Sequence, residues 1–170
     1  LIDRKRGWIL TNAHVASFSP SIHKVAFYNQ DYRDAKKIYV DPHIDLAILQ
    51  VPVSEIPEAA REPQLDCDSK VSTGHPVGAF GHPWGYSFTG TRGIISGIAD
   101  DGMLQTDAPI NPGNSGGALL NHRGNLIGMN TKIFSKTGSY AGIGFALPSN
   151  KMIEVASEII KYGSVQPSWI

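Results

Sequence analysis

The chain has a single cysteine, Cys67, so an internal disulfide is excluded and cysteine usage does not fix the compartment. It also lacks any excess of charge. Fifteen basic residues stand against fifteen acidic ones, with no long run of either sign. That balance argues against nucleic acid or an anionic membrane surface as the main partner. No apolar run approaches the roughly 20 residues that span a bilayer as a helix, so no membrane insertion is expected. There is no internal repeat and no low-complexity segment. Six histidines are present, but none pair at zinc-ligand spacing with a third ligand, so neither a metal nor another cofactor is expected.

What is present is a set of short apolar runs punctuated by 18 glycines and 11 prolines. The runs are four to eight residues long and rich in Val, Ile, Phe and Tyr, the pattern of an all-β sandwich or barrel. Strands are expected near 8–11, 24–28, 35–41, 46–51, 77–81, 88–99, 103–106, 117–120, 126–132 and 143–148. Segment 52–69 holds three prolines and scattered charges and reads as a crossing between two lobes. The expected division is 1–68 for an N-terminal lobe with the crossing, 69–150 for a C-terminal lobe, and 151–170 for a helix and the start of a linker. Helical periodicity occurs once, over 149–162, where Met152, Ile153, Ala156, Ile159 and Ile160 form a stripe expected to pack on the second lobe. Ser149 or Asn150 is the expected cap and Gly163 the expected stop. Because Leu1 and Ile2 read as the end of a strand, the chain is expected to be a piece cut at both ends.

The most informative stretch is Asn111-Pro112-Gly113-Asn114-Ser115-Gly116-Gly117. A serine hydroxyl attacks a carbonyl only if a base takes its proton and donors hold the resulting oxyanion. Flanking glycines would let the N–H groups of Gly113 and Ser115, with Asn114 as a third, converge on one point. Read alone, the cluster is equally a turn between strands. His14 follows the strand at 8–11 and is the candidate base; alone, it reads as an ordinary surface or core histidine. Asp45 stands before the continuous apolar run Leu46-Ala47-Ile48-Leu49 and is the candidate acid, with a strand-start cap as its plain alternative. The order His14, Asp45, Ser115 is that of chymotrypsin-type enzymes. The G-x-S-x-G match to α/β-hydrolases is rejected, since that fold needs a helix after the serine and an Asp and His downstream.

Four blocks together resemble the protease domain of the HtrA/Deg serine proteases. They are Thr11-Asn12-Ala13-His14-Val15, Asp45-Leu46-Ala47-Ile48-Leu49, residues 106–118, and Gly142-Ile143-Gly144-Phe145-Ala146-Leu147-Pro148-Ser149. The resemblance runs nearly end to end. It implies a chymotrypsin/trypsin-like double β-barrel with a C-terminal helix and a cleft between the lobes. It implies a serine endopeptidase acting on unfolded or damaged polypeptides in protein quality control and stress response. The implied roles are Ser115 as nucleophile, His14 as base and Asp45 as the carboxylate that orients it. Gly113, Asn114 and Ser115 correspond to the oxyanion hole. Ile110, Lys132, Ile133 and Phe134 would line an apolar specificity pocket, favouring Val, Ile, Ala or Leu before the scissile bond. A periplasmic or other cell-envelope setting is implied, with organellar members known. The family also implies strands before Leu1 that complete the first barrel, a homotrimer built partly from that segment, an aromatic near the trimer contact at Trp84, and PDZ domains after the helix. The other class of function is a catalytically silent, chaperone-like binding module.

Overall fold

The protein is described by a computed structural model over residues 1–16, 22–66, 70–82, 88–133 and 141–165. Trp84 and Phe134 lie outside these residues.

The first half builds a four-stranded antiparallel sheet. Its strands are β1 (Trp8–Thr11), β2 (His23–Val25), β3 (Arg33–Asp41) and β4 (Leu46–Gln50), in the order β1-β4-β3-β2. The run Leu46 to Leu49 is buried throughout, and alternation along the strand divides it between two sides. Leu46 and Ile48 pack towards Met152 and Ala156 of the C-terminal helix, whereas Ala47 and Leu49 pack with Ala16, Ala35, Val51 and Ile56. A continuous apolar run here therefore marks a strand covered on both faces.

The second half is a closed six-stranded barrel. Strands β5 (Pro76–Gly81), β6 (Thr89–Ile98), β7 (Leu104–Thr106), β8 (Ala118–Asn121), β9 (Leu126–Ile133) and β10 (Gly144–Pro148) close in the order β10-β7-β6-β5-β8-β9. Val77, Ala79, Ile95, Leu104, Leu119, Ile127 and Ala146 fill its interior. Closure leaves no free edge among the described strands of this half. Crossing segment 52–66 forms no strand, but it is tied down at both ends. Val53–Glu55 makes a 3-10 turn, Leu65 bridges to Leu126, and the Arg4 guanidinium donates to the carbonyls of Pro57 and Ala60 at 2.9 and 2.8 Å.

Two helices complete the described chain: the single turn α1 (Ala13–Ala16) and α2 (Ser149–Tyr162). The stop of α2 is at Gly163, with φ 72° and its N–H on Ile159 O, as the sequence suggests. Two details of the helix differ from expectation. Neither Ser149 nor Asn150 caps it. Pro148, in extended conformation, takes that place, and the Asn150 carboxamide accepts only from the adjacent Lys151 N–H. The buried stripe is Met152, Val155 and Ala156, while Ile160 is exposed. The cause is that α2 packs against both halves, Met152 and Val155 joining Leu126, Met129 and Leu147 of the barrel, and Ala156 joining Trp8 and Ile48 of the sheet. Burying each large aliphatic side chain there contributes about 1.5–3 kcal/mol, so α2 fastens the halves to one another.

Candidate active site

The imidazole of His14 is placed by the turn that follows β1. Asn12 is fully buried, and its carbonyl accepts the N–H groups of Val15 and Ala16 at 3.2 and 3.1 Å. This turn lifts His14 off the end of the sheet and leaves its side chain half-exposed. Asp45 comes from the turn before β4. The Asp41 carboxylate accepts the N–H groups of His43 and Ile44, and Asp45 itself is left-handed with φ 56°. A non-glycine residue pays strain in that region, and such residues concentrate at functional sites.

The two side chains meet at two points. Asp45 Oδ2 lies 2.7 Å from His14 Nδ1, and Asp45 Oδ1 accepts the His14 backbone N–H at 2.9 Å. The carboxylate can only accept, so it places the ring proton on Nδ1 and leaves Nε2 with a lone pair. Of the six histidines, His14 is the one that lines the cleft described below. His23, His43, His75, His82 and His122 are spread over other strands and turns.

Ser115 comes from the barrel side. Asn114 N–H donates to Asn111 O at 2.9 Å, closing a turn with Pro112 second and Gly113 third. Gly113 has φ 101°, and proline cannot adopt positive φ, so the turn is type II. The Asn114 N–H, counted in the sequence reading with the oxyanion donors, is thus taken up inside the turn. The N–H groups of Gly113 and Ser115 make no hydrogen bond among the described residues. Behind the turn, Gly116 N–H donates to Asn130 O at 2.8 Å and Asn130 N–H to Gly117 O at 2.9 Å. A Cβ on Gly117 would stand 1.9 Å from the Phe80 carbonyl oxygen, so only glycine fits this approach of loop to β5.

His14, Gly113 and Ser115 border one cleft of about 630 Å³. The same cleft is walled by Ile110, Lys132 and Ile133. Ile110 is buried in the barrel core, and the Lys132 ammonium lies over the Phe145 ring at 5.7 Å. The Ser115 hydroxyl donates to Thr131 O at 3.4 Å rather than to His14. A larger groove of about 790 Å³ on the first sheet is lined by Arg6, Asp34, Lys36 and Gln50, with no serine, threonine or cysteine among its described lining residues.

Residues 1–129 match the description of the trypsin-like peptidase domain, a span that holds His14, Asp45 and Ser115. The chain belongs to that family. Among curated relatives, it is 37% identical to the periplasmic serine endoprotease DegP of Salmonella typhimurium, over 98% of this chain and 36% of that protein. It is 38% identical to the periplasmic pH-dependent serine endoprotease DegQ of Escherichia coli, over 98% of this chain and 37% of that protein. Among solved structures, the HtrA-type protease AlgW with decapeptide superposes with a TM-score of 0.87 at 39% identity, covering 99% of this chain and 53% of that one. The serine endoprotease from Yersinia pestis gives 0.83 at 36% identity, covering 97% and 57%. The resemblance to HtrA/Deg proteases therefore holds across nearly the whole of this chain. The chain spans little more than a third of the length of these curated relatives.

Two site residues escaped the sequence reading. Asn12 and Thr131 are both buried and hydrogen-bonded to each other, Nδ2 to Oγ1, at 3.2 Å. No local pattern marked them: Asn12 lies just past β1 beside Thr11, and Thr131 stands in β9 between Asn130 and Lys132.

Proposed function

We propose that this peptidase domain is a serine endopeptidase in which His14, Asp45 and Ser115 act as the triad. The observation that carries the reading is the two-point His14–Asp45 contact facing Ser115 across one cleft. Attack runs as follows. The Ser115 hydroxyl turns from Thr131 O to His14, and its Oγ bonds to the scissile carbonyl carbon as Nε2 takes the hydroxyl proton. The carbonyl π electrons move to oxygen, and the Gly113 and Ser115 N–H groups hold that oxyanion. Each such donor is worth about 3–4 kcal/mol in related enzymes. The C–N bond then breaks, with His14 giving its proton to the leaving amine. Water repeats the sequence on the acyl-enzyme, releasing the acid and restoring Ser115. Asp45 keeps Nδ1–H in place and stabilises the imidazolium.

The substrates are unfolded polypeptides, as the resemblance implies. Ile110 and Ile133 give the cleft an apolar wall, which supports Val, Ile, Ala or Leu before the scissile bond. Phe134, assigned to the same wall, lies outside the described residues. A periplasmic setting and homotrimeric assembly are proposed for the whole protein on the same resemblance, with a role in quality control.

The test is labelling with a fluorophosphonate, which phosphorylates a serine whose base and oxyanion donors are in place. Rapid labelling of Ser115, abolished in Ser115→Ala and His14→Ala, together with a 10⁴- to 10⁶-fold loss of turnover in Ser115→Ala, is expected. Casein hydrolysis at near-parent rate by Ser115→Ala would sink the assignment. One observation favours the chaperone-like alternative: the Ser115 hydroxyl rests on Thr131 O. Under that reading the folded chain suppresses aggregation of a client while Ser115 stays unlabelled.

A further inference from the structure

The triad is split between two halves of the molecule, and its members must meet to a fraction of an ångström. Helix α2 fastens the halves at a distance from the cleft. At the cleft itself, the Asn12 side chain hydrogen-bonds to both. The buried Asn12 carboxamide donates one N–H to Asp45 O at 2.9 Å and the other to Thr131 Oγ1 at 3.2 Å. Thr131 can accept there because its own hydroxyl proton is committed to Met129 O at 3.0 Å. With the amide this way round both N–H groups have acceptors, whereas turning it over would set its oxygen against the Asp45 carbonyl oxygen; Oδ1 itself is buried without a hydrogen-bond partner among the described residues.

The two side-chain bonds and the Asn12 backbone together reach all three triad members. The Asn12 backbone carbonyl accepts the N–H groups that form the turn carrying His14. Its Nδ2 holds the backbone of Asp45 at the left-handed residue. Through Thr131 it reaches the strand whose carbonyl holds the Ser115 hydroxyl, and whose neighbour Asn130 accepts from Gly116 N–H. Residues 12 and 131 are 119 apart in sequence, so this bond spans the two halves.

We infer that Asn12 is a positioning residue that sets the distance between the His14–Asp45 pair and Ser115. The inference rests on the triad reading above. Asn12 touches no substrate atom. It acts by holding one half of the site in register with the other, and a misplacement of about 1 Å in such a site costs about 10²-fold in rate.

The test uses Asn12→Asp, Asn12→Ala and Thr131→Val in the full chain, with the parent, His14→Ala and Ser115→Ala beside them. The aspartate has the shape of asparagine but only acceptors, which would face Asp45 O and Thr131 Oγ1. The valine has the shape of threonine without the acceptor. Circular dichroism and melting show which variants fold. The readouts are the fluorophosphonate labelling rate at Ser115, kcat and KM on an apolar peptide, and the NMR signal of the His14 Nδ1 proton held by Asp45. Labelling and kcat are expected to fall about 10²-fold in Asn12→Asp and in Thr131→Val, with KM nearly unchanged and the His14 Nδ1 signal retained. The double variant Asn12→Ala/Thr131→Val is expected to be no slower than Asn12→Ala, because both remove the same bond. Folded Asn12→Asp and Thr131→Val that label at the parent rate overturn the inference while leaving the triad reading intact. So does a double variant whose losses multiply. Parent-rate hydrolysis by Ser115→Ala, or a folded parent that does not label, removes the triad reading and this inference with it.

Discussion

The sharpest perturbation is Asp45→Asn, which changes one carboxylate oxygen for an amide nitrogen and little else. In the protein, the carboxylate accepts at both ends, from His14 Nδ1 at 2.7 Å and from the His14 backbone N–H at 2.9 Å. A carboxamide has one acceptor and one donor end. If its oxygen stays on the backbone N–H, its NH₂ faces Nδ1, and the ring must offer a lone pair there. The ring proton then sits on Nε2, where the Ser115 proton has to go. If the amide turns over, NH₂ meets the backbone N–H, two donors in contact. The first arrangement keeps every hydrogen bond and is favoured, so the variant folds with the wrong tautomer. Loss of the correct tautomer costs serine proteases of this kind about 10⁴-fold in kcat, which corresponds to about 5.5 kcal/mol of transition-state stabilisation. The assay is kcat at neutral pH on a peptide with valine before the scissile bond, with a melting curve to show an intact fold. A folded Asp45→Asn chain within tenfold of the parent would refute the role given to Asp45.

Two further outcomes test other parts of the structure. Gly117→Ala would place a methyl group 1.9 Å from Phe80 O and 2.8 Å from Asn114 O, both backbone atoms that cannot swing aside. We expect a loss of about 3 kcal/mol or more in urea unfolding, and a loss under about 1 kcal/mol would contradict the close approach. Burial, then the hydrogen bond to Asp41, pushes the Tyr39 phenol up to about 12 from 10.0. The folded state therefore holds that proton more tightly than the unfolded chain, so its contribution is complete below pH 10 and is lost as pH rises through 12. Tyr39→Phe should flatten the decline of stability across that window, and equal slopes in parent and variant would contradict it.

Most strands were legible because each carries its own local pattern. β1 and α2 have the bounds read from the sequence, and the other barrel strands differ by a residue or so at their ends. The strand expected over 24–28 is β2, which stops at Val25, because Asn29 adopts φ 56° and turns the chain, leaving Tyr28 exposed. The turn α1 was invisible, since four residues cannot show a helical period. The stripe on α2 was misread because two partners, not one, decide which side is buried. Val155 faces the seam between them, and no periodicity in a single helix reports that. At the candidate site, His14, Asp45 and Ser115 stood out through motif order. Asn12 and Thr131 did not, because a contact across 119 residues leaves no trace in either local stretch.

The closed barrel also sets an order of events for the nascent chain. The His14–Asp45 pair joins residues 31 apart, set by the turns beside the paired strands β1 and β4. The loop of Ser115 is shaped by Phe80 and Asn130, on β5 and β9, and its turn is fixed only once those strands are in the barrel. β10 is the last barrel strand in the chain, and it pairs with β7 and β9. A ribosome-bound chain short of that point therefore carries a base with nothing to activate. On the triad reading, cutting power is the last property this domain acquires, after it has ceased to be an unfolded substrate itself.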